Sequence, residues 1–189
     1  MKKYIIGLGN ISNSPLVFNT MQPELSEEIS KLKKEELKSW ELENWRKKAL
    51  KDKKGNVFIP SNWIKASFVS ACKHSRLVPN FATSKKETYT RYAESTFFQD
   101  TTFKCSEKDL SVVGAFMGAQ GANSKTKVYK CYPKINEWKT EITMVDRDGR
   151  MTKEELRTLL DYAGQFEGIG DFRKVNCGRF EVTSINEIK

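Results

Sequence analysis

The chain has 189 residues, with 33 Lys or Arg against 24 Asp or Glu and a formal net charge of +9. Hydrophobic residues make up 38%, including four Trp, six Tyr and eleven Phe, enough to build a core and to exclude wholesale disorder. The length fits one domain with inserted segments, and the positive excess points to a polyanionic partner.

Cys72, Cys105, Cys131 and Cys177 never reach a C-x-x-C spacing, and His74 is the one histidine. This pattern argues against a metal site and for small core residues in a reducing compartment, so a cytoplasmic protein is expected. The apolar run of "YIIGLGNISNSPLVF" is broken by Gly, Asn and Ser, which does not suit a signal segment. No stretch approaches a membrane span, and no membrane partner is expected.

"KKYIIGL" has the texture of a first strand, and "GNISNSPLVFNT" that of a turn followed by a short extended piece. Between 23 and 54, Leu25, Ile29, Leu32, Leu37, Trp40, Leu42 and Trp45 recur at helical spacing among ten Lys or Arg and eight Asp or Glu. This predicts one long helix over 24–52, or two broken near Ser39, with a solvated charged face. "GNVFIP" is a turn and short strand. A helix follows over 61–75, capped by Ser61 or Asn62, with Ile64, Phe68, Val69 and Cys72 on one face.

From 78 to 124 periodicity is lost apart from "LSVVGAF", and a length of that kind within a domain predicts a functional segment that orders on a ligand. "KTKVYKCYP" and "NEWKTEITMV" predict strands over 126–132 and 138–145, paired with each other. Thr152 and Glu155 form a capping box for a helix over 152–166, and "GRFEVTSI" is a last strand over 178–185. With 23–54 and 78–124 set aside as insertions, a single domain remains whose core is 1–22, 55–77 and 125–189. Its order is βαββαβ, so the expected class is α+β with a ferredoxin-like antiparallel sheet.

Positive charge concentrates in two places: six Lys or Arg against one Glu from Lys65 to Arg91, and five Lys against one Glu from Lys125 to Lys139. Lys85, Lys86 and Arg91 alternate with Tyr89 and Tyr92, the mixture of phosphate-tracking cations and base-stacking rings that suits single strands. Lys125, Lys127 and Lys130 extend the basic surface. Gly168, Gly170, Arg173, Lys174 and Arg179 lie in "GIGDFRKVNCGR", where glycines allow close backbone approach and the cations can hold phosphates. The loop follows a helix and precedes a strand, the reverse of a dinucleotide-binding fingerprint.

Catalytic residues and cofactors are not expected. One His offers little for acid–base chemistry, and Asp146 and Asp148 of "VDRDG" are explained by a turn before a capped helix.

The end of the chain, "GIGDFR" followed by "GRFEV", resembles the repeat-associated RNA-binding (RAMP) superfamily, which includes the backbone subunits of CRISPR effector complexes. Ser14-Pro15-Leu16, Ile59-Pro60 and Gly168 to Arg173 also resemble the pattern of small phage-encoded proteins. The resemblance implies a modified ferredoxin-like core, a glycine-rich loop before the last strand and a long inserted thumb. The expected function is non-catalytic binding of single-stranded RNA or DNA, as a coat or as a mimic of a CRISPR backbone subunit. The partners would then include copies of itself or a host CRISPR complex. The competing expectation is a protein–protein assembly module that contacts its partner through the charged helix.

Overall fold

In the computed structural model the apolar alternation of the first strand becomes the centre of the main sheet. The structure describes residues 1–20, 22–74, 94–99, 101–102, 105, 107–118, 127–149 and 151–188, without the side chains of 74, 102, 115–118, 127 and 128. Among these, β1 (Lys2–Asn10) buries Tyr4, Ile6 and Leu8 on one face. It pairs antiparallel with β8 (Lys139–Asp146) and β9 (Phe180–Ile188), and β8 pairs with the short β4 (Thr96–Phe98). The strand order is β4-β8-β1-β9.

Two helices supply apolar faces to the same core. Helix α3 (Ser61–His74) contributes Ile64, Phe68, Ala71 and Cys72, and α4 (Lys153–Tyr162) contributes Leu156, Leu159 and Leu160. The expected capping box forms: Glu155 N–H donates to Thr152 Oγ1 at 3.1 Å and Thr152 N–H to Glu155 Oε2 at 2.9 Å. Asp146 is buried and accepts from the amides of Gly149 and Met151 at 3.0 and 3.1 Å, so its carboxylate closes the turn ahead of α4. The fold is α+β with antiparallel sheets.

The expected pairing of 126–132 with 138–145 does not occur. Strand β7 (Lys127–Ile135) pairs with β6 (Ser111–Gly118) and with the two-residue β2 (Leu16–Val17), forming a second sheet in the order β2-β7-β6. The chain diverges at 136–138, where Trp138 N–H donates to Asn10 Oδ1 at 2.9 Å and its carbonyl accepts from Asn10 N–H at 3.0 Å. That clamp fixes the start of β8 beside the end of β1. The place beside β8 is taken by β4, from the stretch that lacks periodicity in the sequence. A third, two-stranded sheet joins β3 (Phe58–Ile59) to β5 (Thr101–Thr102).

The charged segment after β2 forms α1 (Pro23–Ser30), α2 (Leu37–Asn44) and a 3-10 turn (Trp45–Lys48), so the break lies at 31–36 and not near Ser39. Its charged face is not wholly solvated. Glu41 and Lys48 are each 1% exposed and ion-paired. The Glu41 carboxylate also accepts from Cys131 N–H at 2.8 Å and from Lys130 Nζ at 3.1 Å, while Lys48 donates to the Cys131 carbonyl at 2.9 Å. Burial pushes the Lys48 ammonium below its ordinary range, and the bond to Glu41 opposes that shift.

This pair ties the helical segment to β7, and breaking it leaves a buried charge without its partner. Glu41→Ala is therefore expected to lose about 3–5 kcal/mol. Chemical denaturation would show this as a lower midpoint with an unchanged slope, and loss under about 1 kcal/mol would contradict the assignment.

Candidate nucleic-acid interface

The glycine-rich loop begins where α4 widens into a π-helical turn over Ala163–Glu167, which leaves Phe166 exposed and packed on Tyr162, ring centroids 4.7 Å apart. Two glycines fix the loop's path. Gly178 has φ +69°, and a Cβ there would lie 1.7 Å from the Ile169 carbonyl oxygen. Gly170 has φ +73°, and a Cβ there would lie 2.7 Å from the Val17 carbonyl oxygen. A side chain fits neither place, so glycine permits the loop to close on itself and on β2.

Hydrogen bonds hold that closure. Ile169 N–H donates to the Gly178 carbonyl at 2.9 Å, Asp171 N–H to Val17 at 3.0 Å and Gly178 N–H to Pro15 at 2.9 Å. Ser14 works as donor and acceptor: its hydroxyl donates to the Asn176 carbonyl at 2.6 Å and accepts from Arg179 N–H at 2.7 Å. The Ser14-Pro15-Leu16 and Gly168–Arg173 pieces, far apart in sequence, therefore lie side by side. Pro60 belongs to the same region, because the helix after it carries Trp63, whose Cζ3 would be 3.4 Å from a Cβ on Gly170.

Beside the loop runs a track of three clefts that share lining residues. One of about 370 Å³ is lined by Asn19, Thr20, Trp63, Gly170, Asp171 and Arg173 among others. A second, of about 290 Å³, follows the loop from Gly170 to Val175. The third, of about 480 Å³, continues past Trp63 and Thr20 to Phe58 and Asn62. Trp63 is half-buried, and Phe18 backs it at a centroid distance of 5.7 Å. Burial pushes the Asp171 carboxyl above its ordinary range, opposed by the Asn19 backbone N–H and by Arg173.

The structure brings together Gly168, Gly170, Arg173 and Lys174 of the residues expected from sequence. Arg173 and Lys174 are exposed along the track. Arg179 lies in the same loop, but its Nη2 donates to the Arg173 carbonyl at 3.0 Å, so its guanidinium braces the loop from within. Gly168 N–H is likewise engaged, donating to the Ala163 carbonyl at 2.8 Å. Lys130 sits on β7 in the ion-pair cluster of Glu41. Lys127 begins β7, with its side chain outside the described residues, as are Lys85, Lys86, Tyr89, Arg91, Tyr92 and Lys125 altogether.

Trp63, Asp171, Asn19 and Thr20 are the track residues that the sequence reading passes over. A signal existed for Trp63: it falls outside the Ile64, Phe68, Ala71 and Cys72 stripe of its helix, in the first turn after Pro60.

No family model matches the chain, and no curated protein matches it. Among solved structures, the fold is similar to that of a chain in the cryo-EM structure of the Type III-B Cmr-beta bound to cognate target RNA. The TM-score is 0.59 at 12% identity, over 100% of this chain and 61% of that one. The present chain thus spans about three fifths of the length of that neighbour.

Loop closure at Gly178 predicts a contrast between two glycines. Gly55 has φ +82° with nothing within 4 Å of its would-be Cβ, so Gly55→Ala costs only the left-handed strain of about 1–2 kcal/mol. Gly178→Ala adds overpacking to the same strain and is expected to lose about 3 kcal/mol or more. Equal losses in thermal unfolding would contradict the close approach.

Proposed function

We propose that the chain is a non-catalytic binding protein for single-stranded RNA, built on a RAMP-like version of the ferredoxin-like fold. The order β1, α3, β4, β8, α4, β9 with strands arranged β4-β8-β1-β9 supports the ferredoxin-like assignment. The observation that carries the binding reading is the track beside the glycine loop. It sets a stacking surface, Trp63, in one cleft with the exposed Arg173, and the adjoining cleft carries the exposed Lys174. Cations along a groove and an aromatic face for bases are what single-stranded recognition uses, largely without regard to sequence. The likeness in fold to a chain from an RNA-bound assembly favours RNA over DNA.

The role proposed is binding without catalysis, and Asp146 has a structural task, accepting from the backbone amides of Gly149 and Met151. Service as a coat, or as a mimic of a CRISPR backbone subunit with copies of itself or a host complex as partners, extends the same reading. A cytoplasmic setting and a phage origin accompany it. The assembly-module reading has less to rest on, because Trp40, Glu41, Trp45 and Lys48 of the charged segment turn inward.

Anisotropy of a labelled 12-nucleotide RNA, titrated between low and moderate salt, tests the proposal. Affinity should fall linearly on logarithmic axes, and Arg173→Ala or Lys174→Ala should each flatten the slope by about 0.7. Trp63→Ala should instead weaken binding by about 1–3 kcal/mol with little change of slope. Variants that bind like the parent at every salt concentration would contradict the track as the site.

A further inference from the structure

We infer that the cleft between Trp63 and Asp171 reads one base of the bound strand and prefers guanine. The inference rests on the RNA-binding reading and goes beyond it, since contacts to phosphates carry no sequence information by themselves. The cleft, about 370 Å³, lies at the lower end of the range for small-molecule sites. Its walls are chemically unlike one another. Trp63 offers an indole supported from behind by Phe18, so a base can stack on it without unsettling the core. Arg173 lines the same cleft and can hold the phosphate attached to that base.

Asp171 supplies the selectivity. Its backbone is fixed by the 3.0 Å bond from its N–H to the Val17 carbonyl, and its side chain lines the cleft. An ionised carboxylate has two acceptor oxygens with about four lone-pair sites, enough to take two donors of a base edge. Guanine presents N1–H and N2–H side by side, two parallel donors for two oxygens. Cytosine and adenine each place an acceptor nitrogen beside their amino group, and uracil flanks its single N3–H with two carbonyls. Those three bases set lone pairs against lone pairs, which penalises them as well as depriving them of a bond. Asn19 lines the same cleft and carries amide donors suited to guanine O6.

The test is a competition assay on the full chain, using octauridylate with one central A, C, G, U or inosine. The guanine strand should compete roughly tenfold or more better than the A, C and U strands, with inosine, which lacks the N2 donors, in between. Asp171→Asn, which replaces one acceptor oxygen with a donor, should abolish the guanine preference and favour the A and C strands, whose edges pair an amino donor with an acceptor nitrogen. Circular dichroism would verify that this variant is folded, and Asp171→Ala, which leaves no polar atom to read the base edge, should bring all five strands to within about twofold of each other. Equal competition by all strands against the parent protein would overturn the base readout while leaving RNA binding in place. Failure of every strand to bind would overturn the RNA-binding reading and this inference with it. A ribose-over-deoxyribose preference lost in Asp171→Asn, without any base preference, would assign Asp171 to the 2′-hydroxyl and also overturn the inference.

Discussion

The path of the chain between α4 and β9 depends on one constraint: backbone must meet backbone where no side chain can fit. At Gly178 and Gly170 a Cβ would fall 1.7 and 2.7 Å from carbonyl oxygens of Ile169 and Val17. Because those contacts are made, the 14–17 segment and the loop share hydrogen bonds along their length, with Ser14 joining both ends of the turn. Arg173, Lys174 and Asp171 then project from a braced surface instead of a floppy connection. Preorganisation of this kind lowers the ordering cost that a ligand would otherwise bear.

The brace extends into the body of the protein. Phe172 of the loop packs edge-on against Tyr132, ring centroids 4.9 Å apart, and Lys48 lies 5.0 Å from the Tyr132 ring centroid. Lys48 is in turn paired with Glu41, whose carboxylate holds the amide of Cys131, the residue before Tyr132. A contiguous set of contacts thus runs from the helical segment through β7 to the glycine loop. Buried ion pairs are seldom the most stabilising choice for a core. Here the pair fixes the position of a strand that belongs to a different sheet from β1.

Much of this could be read from residues alone, and the failures have physical causes. The Thr152–Glu155 cap, the α4 stripe of Leu156, Leu159 and Leu160 and the positions of β1, β8 and β9 follow from short-range patterns. The partner of β8 does not: β4 has three residues, too few for a period of two to register, while β7 is long, alternating and adjacent in sequence. Sequential strands usually pair; here the Asn10–Trp138 bonds hold the start of β8 to β1, and β4 takes its other edge. Glu41 and Lys48 read as members of a solvated face because a pattern of charges does not say which ones meet. At the site, Gly170, Arg173 and Lys174 were visible as a cluster within one short stretch. Trp63, Asn19 and Thr20 were not, because folding alone brings 19–20, 63 and 171 together.

The central claim is that a single strand of RNA lies along the track formed by Thr20, Trp63 and the loop from Gly170 to Val175. Photocrosslinking of a 4-thiouridine-substituted RNA, followed by mass spectrometry of the modified peptides, tests it most directly. The account predicts adducts on peptides that contain Trp63 and residues 168–175, competed away by unlabelled RNA and by raised salt. Specific adducts confined to the outer surface of the main sheet or to α1 and α2, with none on those peptides, would contradict it.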